Sequence, residues 1–323
     1  MTEAVLVEGL TKYYDGLQAL DQVTFTVDAG TVFGLLGPNG AGKTTTIRIL
    51  TGLTRPSSGR AHVMGFDVAR EAVKAKQRIG VVPDTSNVYE ELTAYQNLVF
   101  AAQLYGVPRA QWRPRAEELL QTFGLEERAM SRVDGFSHGM RRRLTIACAL
   151  VHEPDLLFLD EPTTGLDAQS ARQLRGMVGS LRDEGVTVFL TTHYIEEADQ
   201  LCDRVAMINK GRIVALDTPE ALKASVTGSS VVEVAFSGHP GEDELRAIPG
   251  VLEVHRLGDR YRLTASSESD VIGAVVEYGR GRDLRITSLT TLKTSLEDAF
   301  LRITGSTPSP QNDGPEGGRR TGR

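Results

Sequence analysis

The sequence predicts an α/β protein with a mixed, mainly parallel sheet, an antiparallel flap and a helical insertion, followed by a small C-terminal α+β domain. Three observations carry this. Strand-like and helix-like runs alternate over residues 31–53 and again from residue 156, the order of a parallel sheet with covered faces. Between those stretches, residues 91–150 read as mostly helical. Beyond residue 229, shorter strands and helices alternate again.

Taken in order, Ala4 to Val7 and Val23 to Val27 are strand-like around a turn at Tyr14-Asp15-Gly16, giving the flap. The apolar run Thr31 to Leu36 reads as a buried strand, and Ile47, Leu50 and Leu53 give the next segment helical spacing. Ile79 to Val82 is another buried strand, ended by Pro83-Asp84. In the insertion, Leu92, Tyr95, Leu98, Val99 and Ala102 share one helix face, stopped by Gly106-Val107-Pro108. Leu119, Leu120 and Phe123 mark a second helix, and Leu144, Ala147 and Val151 a third. The α/β pattern resumes with strands at Leu156 to Leu159 and Val186 to Leu190 and helices at Ser170 to Leu181 and Tyr194 to Cys202. Val205 to Ile208 and Ile213 to Leu216 form a hairpin around Lys210-Gly211, and Thr218-Pro219 caps a final helix.

The first domain is thus expected over residues 1–223, with its helical subdomain at about 85–154. A second, over 224–305, has the order βαββαβα of a ferredoxin-like sandwich, and its last helix opens on a Ser295-x-x-Asp298 capping box. Residues 306–323 are Pro, Gly, Ser and Arg with almost nothing apolar and are expected to be a disordered tail.

Composition narrows the function. The chain has 323 residues, is 40% hydrophobic and carries a formal net charge of −6, which argues against nucleic-acid binding through bulk charge. Cys148 and Cys202 lie in apolar helical contexts and read as structural thiols. The opening Thr2-Glu3 gives no signal peptide, and runs such as Leu144 to Val151 are too short to span a bilayer, so a cytosolic or peripheral chain is expected. Arg141, Arg142 and Arg143 read as a solvated or partner-facing surface, and Trp112 as a packing anchor. His62, His152, His239 and His255 have no partners at metal spacing.

Chemistry enters at Gly37-Pro38-Asn39-Gly40-Ala41-Gly42-Lys43-Thr44, a G-x-x-x-x-G-K-T loop between a buried strand and a helix start. Glycines let backbone N–H groups converge on phosphate oxygens at the positive end of the helix. Lys43 would reach the outer phosphates, and the Thr44 hydroxyl would hold magnesium, so a nucleoside triphosphate is the expected ligand. Asp155 to Glu161 is an apolar strand ending in two acids. There Asp160 can hold magnesium and Glu161 can orient water toward the γ-phosphate.

With these motifs the chain resembles the ATPase subunit of an ABC transporter, almost continuously over residues 4–222. Phe136-Ser137-His138-Gly139-Met140 is similar to the family signature, with Ser137 and Gly139 kept and His138 and Met140 in place of Gly and Gln. The resemblance implies that Ser137, His138 and Gly139 meet the ATP of an opposite subunit in a head-to-tail dimer, homodimer or heterodimer. It implies that Asp167, in Gly165-Leu166-Asp167, crosses that interface, and that His193 contacts the γ-phosphate. Tyr14 resembles the aromatic that stacks on adenine. Tyr13 is its rival, though Tyr13 suits a flap core residue better. Thr45 follows the loop. At the position where the family has Gln stands Asp84, an added magnesium candidate. The resemblance further implies ATP and Mg2+ as ligands and a separate integral-membrane permease as partner. Gly139-Met140-Arg141 and Ser295 to Leu301 narrow it toward drug, antibiotic or lipid export. The alternatives are a nucleotide switch with little hydrolysis, supported only by Asp84, and a nucleic-acid or ribosome-associated ATPase. A GTPase is disfavoured because Asn209-Lys210-Gly211-Arg212 lacks the Asp that reads guanine.

Overall fold

The computed structural model describes residues 3–225, 230–265, 268–292 and 295–305. Residues 226–229, just past the expected domain boundary, and the expected tail at 306–323 fall outside them. In chain order, β1 (Glu3–Tyr14) and β2 (Leu17–Asp28) form a hairpin, and β3 (Val32–Leu36) leads into α1 (Lys43–Leu50). Then come β4 (Ser58–Val63), β5 (Phe66–Asp67), α2 (Ala72–Gln77) and β6 (Ile79–Val82). The insertion consists of α3 (Ala94–Leu104), α4 (Arg109–Thr122) and α5 (His138–Ala149), with two short 3-10 turns. The α/β pattern resumes through β7 (Leu156–Asp160), α6 (Ala168–Asp183), β8 (Thr187–Thr192), α7 (Ile195–Leu201), β9 (Arg204–Asn209), β10 (Arg212–Asp217) and α8 (Pro219–Ser225). The last stretch is β11 (Ser230–Phe236), α9 (Glu242–Arg246), β12 (Val251–Leu257), β13 (Arg260–Ala265), α10 (Glu268–Gly281), β14 (Ile286–Leu292) and α11 (Leu296–Thr304).

The central sheet has the order β10-β9-β3-β8-β7-β6 and is parallel except for the β9–β10 hairpin, as the alternating pattern predicts. Its inner strands β3, β7 and β8 are buried along their whole length, without alternation, because both faces are covered. On β7, Leu156 and Phe158 enter one core while Leu157 and Leu159 enter the other. The first of these cores lies toward the antiparallel sheet β2-β1-β4-β5, where Phe25, Phe33, Phe189 and Phe158 form a ladder with centroids 5.3–5.4 Å apart. Each such aromatic pair adds about 0.5–1.5 kcal/mol beyond area burial. The opposite core joins the sheet to the insertion through Leu98, Leu120, Phe123 and Leu144. There Thr93 and Gln96 cap α3 reciprocally, and Trp112 donates its indole N–H to the Val107 carbonyl at 2.7 Å as it packs on that core.

The third sheet is antiparallel in the order β12-β13-β11-β14, the strand order of a ferredoxin-like sandwich, with Val232, Val234, Leu263, Val271 and Val275 in its core. The last helix goes elsewhere. Its capping box is present, but Leu296, Ala299 and Phe300 pack with Ala198, Cys202 and Leu222 in the core beneath the central sheet. Sequence reading also gave no elements between residues 54 and 78, where β4, β5 and α2 lie.

Candidate functional site

The parallel strands β3, β6, β7 and β8 end level with one another, with Leu36 opposite Thr192, Asp160 opposite Thr191, and Val82 opposite Leu159. The loops leaving these ends converge in the crevice where α/β proteins place ligands. From β3 comes the glycine loop. Gly40 and Gly42 adopt φ of 78° and 110°, which a side chain would strain. A Cβ at Gly42 would also stand 2.7 Å from Leu20 Cδ2, so the β1–β2 hairpin that carries Tyr14 packs directly on the loop. Residues Pro38, Asn39 and Gly40 are exposed while Gly37 and Ala41 are buried, leaving an open cradle at the start of α1. Such a cradle, with the first helical N–H groups behind it, fits a triphosphate.

Lys43 is buried, and its Nζ donates to the Gly37 carbonyl at 2.8 Å and stands 3.2 Å from Glu161 Oε1. On the other side, Glu161 Oε2 lies 3.1 Å from His193 Nδ1, close enough for an ion pair but without hydrogen-bond alignment, and accepts from Thr164 Oγ1 at 3.1 Å. Burial pushes the Glu161 carboxyl up, but Lys43, His193 and Thr164 outweigh it and hold the group below the ordinary glutamate range. Glu161 also adopts φ of 45°, a conformation that costs a non-glycine residue energy and gathers at functional sites. Its N–H is held by the Thr191 carbonyl at 3.1 Å.

Asp160 is buried, which raises its carboxyl, and the hydroxyls of Thr191 and Thr44 oppose that shift. Asp84 is exposed and turns Oδ1 to the Thr85 N–H at 2.8 Å, yet its charge acts on Asp160. Thr44, Asp160 and Asp84 offer only oxygen donors, which fits a hard cation such as magnesium. Among the described residues no group of three or more His, Cys, Asp and Glu side chains could hold a metal. Magnesium does not need one, since one or two carboxylates and the phosphates of its substrate suffice.

A second group forms around the start of α5. Ser137 is the N-cap and accepts from the Met140 N–H at 3.3 Å. A Cβ on Gly139 would stand 2.6 Å from Ser170 Oγ, and one on Gly165 would stand 3.2 Å from His138 Cε1. Asp167 caps α6 through the Ser170 N–H and hydroxyl at 2.8 and 2.9 Å. The signature-like segment and the Gly165–Asp167 loop therefore touch within one chain. Tyr14 and Tyr13 are 37% and 49% exposed, so Tyr13 is not a flap core residue; the two lie where the hairpin leaves the sheet. Lys12 Nζ lies 4.7 Å from the Tyr14 ring centroid.

Sequence reasoning missed Arg142. It is buried, not solvated or partner-facing, and its guanidinium donates to carbonyls at Pro83, Asp84, Asp160 and Pro162. The signal was present, since Arg142 shares a helix face with Gly139, Thr145 and Ile146, all buried. Its neighbours are also engaged. Arg141 pairs with Glu90 at 3.0 Å, and Arg143 donates to the Phe123 carbonyl at 2.8 Å. Glu197, 1% exposed on α7, was missed as well. The two cysteines are free thiols, and burial pushes Cys148 up to about 12 and Cys202 well above its ordinary value, as expected of structural thiols.

A glycine cradle with a buried lysine, a strand-end acid pair and a serine-capped helix on one mainly parallel sheet define an ATP-binding cassette. The pattern of the ABC transporter family matches residues 20–164. The chain is 44% identical over 310 residues to the daunorubicin/doxorubicin resistance ATP-binding protein of Streptomyces peucetius, covering 94% of this chain and 93% of that one. It is 37% identical over 305 residues to the linearmycin resistance ATP-binding protein of Bacillus subtilis, covering 93% and 98%. Among solved structures it is similar to an ATP-binding subunit of an ABC transporter, with 34% identity and a TM-score of 0.63 over 69% of this chain and 92% of that one. A dimeric ATP-binding cassette bound to ADP and Pi matches with 26% identity and a TM-score of 0.61 over 66% and 98%. The chain belongs to the ATP-binding subunits of ABC transporters, and it binds and hydrolyses ATP.

Proposed function

We propose that this ATPase drives export of a drug, antibiotic or lipid through a separate integral-membrane permease, working as a homodimer or with a similar ATPase on the cytoplasmic face of the membrane. The observation that carries the catalytic reading is the Glu161 carboxylate, kept ionised between Lys43 and His193 at the mouth of the glycine cradle. Residues Gly37 to Thr45 bind the phosphates, with Lys43 on the outer ones, and Tyr14 stacks on the base. Thr44, Asp160 and Asp84 would hold magnesium, which when bound would neutralise phosphate charge. Glu161 orients and deprotonates the attacking water, and His193 steadies the γ-phosphate. Ser137, His138, Gly139 and Asp167 serve the nucleotide of the opposite subunit.

Two further features support the assembly. No described helix is long and apolar enough to cross a membrane, so a permease on another chain accounts for the transport step. The relatives are named for resistance to daunorubicin, doxorubicin and linearmycin, which supports export of a drug or antibiotic. Residues 1–223 act as the nucleotide-binding domain and 224–305 as an accessory domain.

The Glu161→Gln variant tests the reading, because it removes the base and keeps the shape. Size exclusion should show it as a dimer with ATP and a monomer without. A variant that binds ATP and stays monomeric would refute the sandwich.

A further inference from the structure

We propose that Arg142 is a positioning residue for ATP hydrolysis: its buried guanidinium ties the segments bearing Asp84 and Asp160 to the signature-like helix α5, with Glu197 of α7 as its buried counter-charge. The proposal rests on the ATPase reading of the site above.

Arg142 is 4% exposed, and a buried guanidinium persists only where hydrogen bonds and opposite charge replace water. Its Nε donates to the Pro162 carbonyl at 3.0 Å, and one Nη donates to the Asp160 carbonyl at 2.8 Å. The other Nη donates to the Pro83 carbonyl and reaches the Asp84 carbonyl at 3.4 Å. Pro83 and Asp84 lie in the loop leaving β6, Pro162 lies in the loop leaving β7, and Asp160 is the last residue of β7. The β6–β7 ladder ends at Val82 and Leu159, and beyond it one side chain ties the loop that carries Asp84 to the end of β7 and the loop that follows. That side chain grows from the helix that Ser137 caps.

The planar fork of five donors suits this task, whereas a lysine would bring one point charge on a shorter reach. Burial works against the guanidinium charge, and the carboxylates of Asp160, Asp84 and Glu197 oppose that effect. Glu197 is the one of the three that the metal and water chemistry does not use. It is 1% exposed, and neither of its oxygens has a well-formed hydrogen bond, although the Thr192 and Thr163 hydroxyls stand close enough to act on it. Arg175 and Arg142 supply its opposite charge. A carboxylate so enclosed costs stability unless opposite charge offsets it, and Arg142 is one of the two cations that do so.

The test compares full-length wild type with Arg142→Lys, Glu197→Gln and Ile146→Val. The last is a packing control on the same helix that touches none of these carbonyls. Three quantities are read: kcat with magnesium, ATP affinity in EDTA from a fluorescent analogue, and hydrogen exchange over residues 79–86 and 160–164. Arg142→Lys should lower kcat by about ten- to a hundredfold and leave metal-free affinity within about twofold, the mark of misplacement rather than lost binding. Exchange in both segments should speed up about tenfold. Glu197→Gln should show a smaller fall in kcat in the same direction, and Ile146→Val none. Unchanged kcat and exchange in Arg142→Lys would overturn the proposal, as would an equal loss of kcat in Ile146→Val. If Arg142→Lys does not fold, Glu197→Gln decides by the same readings, and an unchanged kcat and exchange there overturn it. A wild type without magnesium-dependent turnover would fault the ATPase reading instead, and the exchange data would still decide the role of Arg142.

Discussion

The two cores under the central sheet and the core of the β11–β14 sheet are built on different terms. Every buried charged side chain among the described residues, and every buried polar one except Tyr261, lies at or before Glu197; Lys43, Arg142, Asp160, Thr191 and Glu197 itself are among them. The core of the third sheet is apolar, and its one buried phenol, Tyr261, gives its hydroxyl to the Pro240 carbonyl at 2.8 Å. Burying charge is costly unless each group is paired. A fold keeps it where chemistry requires it, so the contrast marks the first region as the chemical one and the third sheet as a packed body attached to it. The attachment is specific, because α11 inserts Leu296 and Phe300 beside Ala198 and Leu222.

The largest effect that could break this contrast is at Lys43. Lys43→Ala removes a buried cation and leaves Glu161 without its partner at 3.2 Å. We expect ATP affinity to fall about a hundredfold and turnover to vanish, at about 1.5–3 kcal/mol per charged hydrogen bond lost. Calorimetric titration checks it, and an affinity within threefold of wild type would remove Lys43 from the site.

A second, intermediate effect separates packing from chemistry. Ending the chain after Ser225 strips α11 from the core and uncovers Leu222 and Ala198. Loss of the Leu296 and Phe300 contacts should cost about 3–5 kcal/mol and lower the melting temperature by about 10 °C. The folded remainder should still bind ATP within threefold of the full chain. Loss of binding in a folded truncation would place part of the nucleotide site in the C-terminal region.

How far the sequence foretold this depends on whether the signal was local. The glycine cradle and the Asp160-Glu161 strand end were legible because residue types at fixed spacing dictate their chemistry. Even the ferredoxin-like strand order followed from a βαββαβα succession. β4 escaped because its first three residues, Ser58, Gly59 and Arg60, are exposed and carry no apolar pattern. Arg142 escaped because three successive arginines were weighed as a charge run, while helical period sends each of them in a different direction. The partner of α11 could not be read at all, since its contacts with Ala198 and Leu222 join residues far apart in sequence.

The smallest effect sharpens the chemistry within the first region. Asp84 faces its own backbone, yet its charge reaches Asp160. Asp84→Asn should raise the magnesium midpoint by about threefold and keep ATP binding, because one carboxylate leaves the cation's surroundings. Asp84→Gln should hydrolyse as fast as wild type or faster. A magnesium titration of steady-state activity reads both, and an unmoved midpoint in Asp84→Asn would place the side chain outside the metal site.

The central claim is that the charged groups of the first region make this chain an ATPase working through Glu161. Phosphate release by the full-length protein tests it most directly, measured with magnesium, with EDTA, and with Glu161→Gln. We expect turnover only with magnesium, and a fall of about a hundred- to a thousandfold in the variant with ATP affinity retained. Turnover in Glu161→Gln equal to that of wild type would contradict the account.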